Sequence, residues 1–247
     1  MNILVFDTET TSLDKPFCYN VGYLVADTET RTILKRADYV IEQCWHNLML
    51  FQSAYYADKR QIYVGAMRSR KTQLEKWGYV MQQMIRDIKA YDVHHAYAYN
   101  SPFDEKVFNY NCDWYKTANP FDNIEIHDIR AFAVNSIDDD YKLFCEGNGF
   151  FTDSGNYSTT AETMYRYITK NFEFNEAHTA LADSEIETEI LFYFMWEVDI
   201  LQNPVAPKSV ERIIDKTLIV DMDGAQTEYT YRKRINRGNK IFLKSGK

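Results

Sequence analysis

The chain contains two kinds of hydrophobic pattern, one typical of buried strands and one typical of amphipathic helices. Residues 2–6 form a continuous apolar run, which favours a strand buried on both faces. In residues 73–91 the apolar positions recur every three or four residues, which is helical spacing. Residues 59–70 fit neither pattern clearly. The same criteria predict strands at 19–26, 33–42, 96–99 and 123–128, helices at 45–58, 103–115, 129–146, 159–169 and 183–201, and a loop at 147–155. This order of elements predicts an α/β fold.

The pattern changes near the carboxyl end of the chain. Pro204 and Pro207 end the last predicted helix and mark a boundary. We therefore predict one domain at 1–203 and an extension at 204–247. Two short β-type runs separated by an Asp-Gly pair, within 218–231, predict a small β-hairpin in this extension.

Composition narrows the class of protein. Hydrophobic residues make up 45% of the 247 residues, which is enough for a substantial core. The four cysteines have no paired spacing, which favours reduced thiols over disulfide bonds or a zinc site. The amino-terminal apolar run is too short, and too uncharged in front, for a signal peptide. No apolar run approaches the ~20 residues that span a bilayer. We therefore expect a cytoplasmic protein without a membrane segment.

Charge is distributed unevenly along the sequence. The net charge is −8, yet residues 208–247 carry ten basic and five acidic side chains, a net of +5. Residues 1–207 carry 18 basic against 31 acidic side chains, a net of −13, which would repel a phosphate backbone over most of the surface. Nucleic acid could then bind only locally, at metal ions or at the tail. The seven basic residues from Arg232 onward fit either a solvated terminus or a phosphate-binding strip.

Acidic side chains occupy positions where α/β proteins bind ligands. Asp7 and Glu9 follow the first apolar run, and residues two apart on a strand share one face. They lie at the carboxyl end of that strand, where open α/β sheets place ligands. The alternative for Asp7 is a turn that closes the strand. Asp104 is in the first turn of a predicted helix, where the helix dipole alone would favour a carboxylate by ~0.3–1 kcal/mol.

The last predicted helix carries a further carboxylate. Asp183 heads the apolar stripe formed by Ile186, Ile190 and Phe194, and a carboxylate at the start of a buried stripe needs a partner. Helix capping is the simple alternative. His178 cannot share a helical face with Asp183, because five steps rotate about 140° away from it. We expect His178 in the preceding loop, folded back toward the same pocket, although a lone histidine there could be an ordinary surface residue.

These acids suit a metal site. Carboxylates in one pocket raise one another's pKa, and divalent cations remove that conflict. Oxygen-only ligands select hard ions such as Mg²⁺ or Mn²⁺. Two such ions can clamp the attacking and leaving oxygens of an in-line displacement, which is chemistry that cuts phosphodiester bonds.

The order of these residues resembles the three motifs of the DEDDh exonucleases. This DnaQ-like group includes the proofreading epsilon subunit of DNA polymerase III, RNase T and oligoribonuclease. The motifs here are Phe6-Asp7-Thr8-Glu9-Thr10-Thr11-Ser12-Leu13, Asn100-Ser101-Pro102-Phe103-Asp104 and His178-Thr179-Ala180-Leu181-Ala182-Asp183. Thr179 stands where the DEDDy group has tyrosine, which favours the histidine version. Ser12 departs from the glycine that is common in the family. The resemblance covers about residues 1–200 and implies an RNase H-like mixed central sheet flanked by helices.

The resemblance implies removal of nucleoside 5′-monophosphates from 3′ ends, with two Mg²⁺ or Mn²⁺ ions. It implies four metal ligands and His178 as the general base, a step worth ~10²–10⁴ in rate. The ligands would be Asp7, Glu9, Asp104 and Asp183. The backbone around Thr8, with Thr10 and Leu13, would seat the terminal nucleotide. Asn100 could hydrogen-bond a substrate or cap the following helix. Expected partners are single-stranded nucleic acid or frayed 3′ ends, DNA before RNA, and a DNA polymerase.

Two other classes of function remain open from the sequence. One is a catalytically silent RNase H-like module that binds nucleic acid or a polymerase. The other is a metal-dependent phosphatase or nucleotidase that acts on small molecules. All five catalytic positions of the motifs are filled, which favours the exonuclease over the silent module.

Overall fold

Six strands form one mixed sheet in the computed structural model, which describes residues 1–222 and 225–234. The strands are β1 (Asn2–Thr10), β2 (Cys18–Asp27), β3 (Thr32–Ile41), β4 (Gln73–Glu75), β5 (His95–Ala98) and β6 (Glu125–Asp128). Their order in the sheet is β4-β3-β2-β1-β5-β6. The first three strands pair antiparallel, whereas β5 pairs parallel with β1 and β6, and β4 pairs parallel with β3. The predicted α/β, RNase H-like mixed sheet is confirmed.

Helices cover both faces of this sheet. They are α1 (Glu42–His46), α2 (Leu48–Gln52), α3 (Arg60–Arg68), α4 (Trp77–Ala90), α5 (Ser101–Tyr115), α6 (Ile129–Asn135), α7 (Asp139–Asn148), α8 (Ala161–Thr169) and α9 (Ala180–Phe194). Alternate residues of β1 serve the two layers. Ile3 and Val5 pack in a core with α6 to α9, and Leu4 and Phe6 pack in a second core with α4 and α5. The buried first strand is thus in contact with helices on both sides, as its continuous apolar run predicts.

Helix α9 lies against β2 at a glycine. A β-carbon on Gly22 would be 2.0 Å from the backbone nitrogen of Leu181, so only glycine allows this approach. The Ala180 N–H donates to Asn20 Oδ1 at 2.8 Å, and the Ser184 hydroxyl donates to the Gly22 carbonyl at 3.2 Å. These contacts fix the first turn of α9 on the sheet.

Two predicted helices are each divided in the structure. The helix predicted at 45–58 is wrong, because α1 and α2 are separated by Asn47, whose side chain accepts a hydrogen bond from Leu50 N–H. The helix predicted at 129–146 is α6 and α7, because Asp138 caps a new helix by accepting from Tyr141 N–H at 2.8 Å. Local capping by polar side chains outweighed the apolar spacing in both segments.

Other boundaries also differ from the sequence prediction. The first residues of the helix predicted at 73–91 form β4, an edge strand that pairs with β3, before α4 begins. The ambiguous segment 59–70 contains α3. The last helix ends at Phe194 and does not extend to residue 201. The four cysteines are buried free thiols.

The described part of the C-terminal extension contains two paired strands. Strands β7 (Ile213–Met222) and β8 (Ala225–Arg234) pair antiparallel, which confirms the predicted β extension. Most of the basic stretch from Arg232 lies outside the described residues. The domain boundary predicted between residues 203 and 204 stays a prediction. In the part of the chain that the structure describes, no helix is both long enough and apolar enough to cross a bilayer.

Candidate active site

Three acidic side chains meet where the end of β1 faces α9. On β1, Asp7 and Glu9 continue the face of Ile3 and Val5, which is the face that α9 covers. One carboxylate oxygen each of Asp7, Glu9 and Asp183 lies within 4.8 Å of the others. Both Glu9 and Asp183 are buried. The sequence therefore brings together three acids that are up to 176 residues apart.

Asp104 lies beside this cluster on the other helical layer. It is in the first turn of α5, which follows β5 through Asn100 in the left-handed backbone region (φ 66°). The hydroxyl of Thr8, on the opposite face of β1 from Asp7, donates to Asp104 Oδ1 at 2.6 Å. The negative charge of Asp104 is, after burial, the largest influence that raises the pKa of Asp7.

A fifth carboxylate, which is buried, belongs to Glu187, one helical turn after Asp183. It is 4% exposed, and its Oε2 accepts a hydrogen bond from Tyr99 N–H at 3.2 Å. Burial, followed by the charges of Asp104 and Asp183, raises the pKa of Glu187. Glu187 is not among the residues predicted from the sequence, although an acid four residues after Asp183, at the spacing of a shared helix face, is a visible signal.

The surroundings of these carboxylates favour the protonated form over the charged form. Burial raises the pKa of Asp104 to about 7, against the opposing hydrogen bonds from Thr8. Burial raises the pKa of Glu9 to about 8, although the Tyr19 hydroxyl donates to Glu9 Oε2 at 3.3 Å. Burial and neighbouring acids raise the pKa of Asp183 to about 9. Without a cation, the ionised cluster is therefore unstable relative to its protonated form.

Among the residues that the structure describes, none donates a hydrogen bond to Asp183 Oδ1, which is a buried oxygen of this cluster. A buried carboxylate oxygen without a donor is costly, and a cation would satisfy it. The donor set is made of carboxylate oxygens, which suits a hard divalent ion. The residues present therefore fit a Mg²⁺ or Mn²⁺ ion.

His178 is in the loop before α9, as the sequence predicts. Its backbone is in the left-handed region (φ 51°), and its ring stacks on Tyr56 with centroids 4.3 Å apart and planes 14° apart. Nδ1 lies 3.6 Å from Glu176 Oε2. Burial, aided by the charge of Lys59, lowers the pKa of His178 and so favours the neutral ring.

The imidazole thus belongs to a second cluster next to the first. Nitrogen and carboxylate atoms of Glu162, Glu176 and His178 lie within 4.8 Å of one another. The charge of Glu176 raises the pKa of Asp183, so the two clusters interact electrostatically. Lys59 contributes from the segment before α3: its Nζ donates to the Ala177 carbonyl at 2.7 Å and lies 4.5 Å from the centre of the Tyr56 ring. The side chains around His178 therefore come from two separate parts of the chain.

A groove of about 310 Å³ opens beside the acidic cluster. It includes Thr8, Thr10 and Leu13, which the sequence predicts as substrate-binding residues. Asn100 is exposed and is not among the residues that line this groove; its N–H donates to Asp128 Oδ1 at 2.8 Å, and its side chain does not cap α5. The full lining is Thr8, Glu9, Thr10, Thr11, Ser12, Leu13, Tyr55, Tyr56 and Phe103.

Solved structures of other proteins share this architecture. No family model and no curated protein matches the sequence. A 3′-exonuclease structure that concerns 3′-end-specific recognition of a histone mRNA stem-loop has a TM-score of 0.57 at 12% identity, over 92% of this chain and 90% of that one. The nuclease domain of 3′hExo, a DEDDh family member bound to rAMP, has a TM-score of 0.52 at 13% identity, over 79% and 92%. The chain has a DEDDh exonuclease-like fold.

A full-length 3′-exonuclease supports the same conclusion. Its TM-score is 0.55 at 14% identity, over 79% of this chain and 82% of that one. Identities this low describe the fold alone. Within the DEDDh exonuclease-like fold, the motif acids predicted from the sequence lie around the end of β1, and His178 lies in the adjoining cluster. Their roles as ligands and base stay predictions.

Proposed function

We propose that the protein is a divalent-cation-dependent 3′→5′ exonuclease that releases nucleoside 5′-monophosphates. The observation that carries this proposal is the carboxylate cluster in a DEDDh exonuclease-like fold, in which Asp183 Oδ1 has no hydrogen-bond donor within the described part of the chain. Such a cluster is unfavourable in itself and becomes favourable only with cations bound.

Four of the acids would bind the metal ions, and the fifth, Glu187, would hold the surrounding elements in position. Asp7, Glu9, Asp104 and Asp183 would hold two Mg²⁺ or Mn²⁺ ions, which when bound neutralise charge that develops on the phosphodiester oxygens. Thr8 orients Asp104 through its 2.6 Å hydrogen bond. Glu187 accepts a hydrogen bond from the N–H of Tyr99, the residue that follows β5. This bond links α9, which carries Asp183, to the segment that leads into α5, which carries Asp104.

His178 would act as the general base. The Glu176 carboxylate near Nδ1 favours the tautomer with the proton on that atom, which leaves the Nε2 lone pair to take a proton from the attacking water. The lowered pKa keeps the imidazole neutral at physiological pH, which is the state that a base requires. Stacking on Tyr56 restricts the ring to one orientation.

Single-stranded or frayed 3′ ends are the substrate that suits this site. The groove is lined by aromatic and small polar residues, and nucleobases stack on aromatic rings without sequence preference. Tyr55 is 88% exposed at the groove and can offer such a ring. The acidic character of residues 1–207 limits binding to the neighbourhood of the cations. DNA is proposed before RNA, and a DNA polymerase partner stays a prediction.

The test is a 5′-labelled oligonucleotide incubated with the purified protein, as DNA and as RNA, single- and double-stranded. Stepwise shortening from the 3′ end with Mg²⁺ or Mn²⁺, and none in EDTA, is expected. Asp7→Asn should abolish cleavage, whereas Asp92→Asn, a matched change of a 91% exposed acid, should not. Turnover of p-nitrophenyl phosphate alone would indicate a phosphatase, and cation-independent binding without cleavage would indicate a silent module.

A further inference from the structure

A third group of possible metal ligands lies near the opposite end of strand β1 from the acidic cluster. His95 begins β5 and is the register partner of Glu125 at the start of β6, with His127 two residues further along. His95 also pairs with Ile3 of β1, four residues before Asp7. At 3.3 Å per residue this is about 13 Å from the acidic cluster. The group is therefore separate from the candidate active site.

The three side chains present nitrogen and oxygen atoms to a common point. His95 Nδ1 lies 3.0 Å from His127 Nε2 and 3.6 Å from Glu125 Oε2, and all three atoms are within 4.8 Å of one another. Ligand atoms about 2.0–2.1 Å from a tetrahedral ion are separated by about 3.3–3.4 Å. The two observed distances bracket that separation.

The outer contacts fix which atoms face the common point. His127 is fully buried, and its Nδ1 lies 3.2 Å from the Gln202 carbonyl. A carbonyl only accepts, so Nδ1 carries the proton and Nε2 presents a lone pair toward His95. Glu125 Oε1 accepts from Asn203 Nδ2 at 2.7 Å, which leaves Oε2 for the ion. Histidine ligands in metal sites are oriented by such second contacts.

The site has a route to solvent. The side chain of Glu125 is 51% exposed and that of His95 is 20% exposed, whereas His127 forms the closed inner wall. A water molecule can therefore occupy a fourth position from the open side. Imidazole nitrogens with one carboxylate suit Zn²⁺ and similar transition ions, whereas Mg²⁺ prefers an oxygen-only set.

We propose that His95, Glu125 and His127 bind one Zn²⁺-class ion that joins the segment after α9 to the far end of β5 and β6. Both outer contacts come from that segment, through Gln202 and Asn203. The ion stabilises the folded chain and takes no part in phosphodiester cleavage. The sequence alone does not reveal this pairing of His95, because His127 is 32 residues away on the neighbouring strand.

The test measures Zn²⁺ binding to the full chain in an Asp7→Asn/Asp183→Asn background, which removes the competing acidic cluster. Isothermal titration is expected to give one Zn²⁺ per chain, and Co²⁺ is expected to give the intense visible bands of a tetrahedral ion. His95→Gln and Glu125→Gln, both at positions with solvent access, should each weaken Zn²⁺ binding at least tenfold. His94→Gln is the matched control, because His94 is 71% exposed and pairs with Asp92 outside this group.

Several outcomes would overturn the proposal. Absence of Zn²⁺ binding in the background chain means that His95 and His127 share only a hydrogen bond. Equal affinities of the His95→Gln and His94→Gln chains would exclude His95 as a ligand. Loss of binding in a His178→Ala chain would move the ion to the cluster of Glu162, Glu176 and His178. Circular dichroism of each variant, compared with the background chain, verifies that the fold is retained.

Discussion

Replacing Asp183 by asparagine removes a buried negative charge. In wild type, Oδ1 of this carboxylate receives no hydrogen bond from the described residues. The change keeps the shape of the side chain and adds an N–H donor next to Asp7 and Glu9. In the absence of divalent cations we expect this substitution to stabilise the protein at alkaline pH. The reason is that the wild-type chain must either ionise a buried carboxylate or hold a proton against the solution pH.

The direction and size follow from the pKa. An aspartate has a pKa of about 3.9 in an unfolded chain, and the folded pKa of Asp183 is about 9. Because the folded value is the higher one, the contribution of this group to stability is complete below about pH 4 and is lost as pH rises toward 9. At pH 8 the upper bound of the loss is about 5–6 kcal/mol. Buried unpaired groups measured in proteins cost ~1–3 kcal/mol, which is the gain that we expect.

Differential scanning calorimetry in EDTA at pH 4.5 and pH 8 measures this effect. At ~2–4 °C per kcal/mol for a chain of this size, the Asp183→Asn chain should melt about 2–12 °C above wild type at pH 8. The difference should shrink at pH 4.5. Addition of Mn²⁺ should raise the wild-type midpoint, because the ion binds only the folded site, and should raise the variant midpoint much less. A variant that melts below wild type at pH 8 in EDTA, or that responds equally to Mn²⁺, would refute this account of the site.

Substitutions in three further parts of the structure give testable predictions. His178→Ala should lower kcat by ~10²–10⁴, while the Mn²⁺-induced shift in melting temperature remains. Tyr56→Ala, which removes the ring stacked on His178, should lower kcat less. If His178→Ala lost cation binding as much as turnover, His178 would have a structural role. Glu187→Gln, which keeps an oxygen for Tyr99 N–H, should raise stability at pH 8 in EDTA, whereas Glu187→Ala should cost ~1–3 kcal/mol by urea denaturation. Gly22→Ala should cost at least ~1–3 kcal/mol through collision with α9, while Gly65→Ala, whose β-carbon would meet open space, should be neutral or stabilising. A Gly22→Ala chain as stable as wild type would contradict the close approach of α9 to β2.

Sequence alone predicted the strands better than the helices. The strand at 2–6 and its acids could be read from local pattern, because a buried strand is apolar on both faces whatever its neighbours. The helices predicted at 45–58 and 129–146 were wrong, because side-chain caps at Asn47 and Asp138 end one helix and begin another. A cap depends on a single polar residue, which an average over apolar spacing does not detect.

Two buried residues were not predicted from the sequence, for a different reason. Glu187 and His127 are both buried polar side chains whose partners are distant in sequence: Tyr99 for one and His95 for the other. An isolated acid or histidine in a sequence is usually a surface residue. The spacing from Asp183 marks the helix face of Glu187, but the packing of α9 on β1 shows that this face is buried. The partner of His127 is revealed only by the pairing of β6 beside β5, which leaves no periodic signal in the sequence.

The alternation of β1 explains how one strand organises two layers of the site. Odd positions place Asp7 and Glu9 toward α9, and the even position between them places Thr8 toward Asp104 on α5. A shift of one residue in the register of β1 would exchange these faces and put two acids where one hydroxyl is needed. The two hydrophobic cores oppose that shift, because it would exchange Ile3 and Val5 with the larger pair Leu4 and Phe6 and misfit the packing on both faces. The register that buries the core therefore also assembles the acidic cluster.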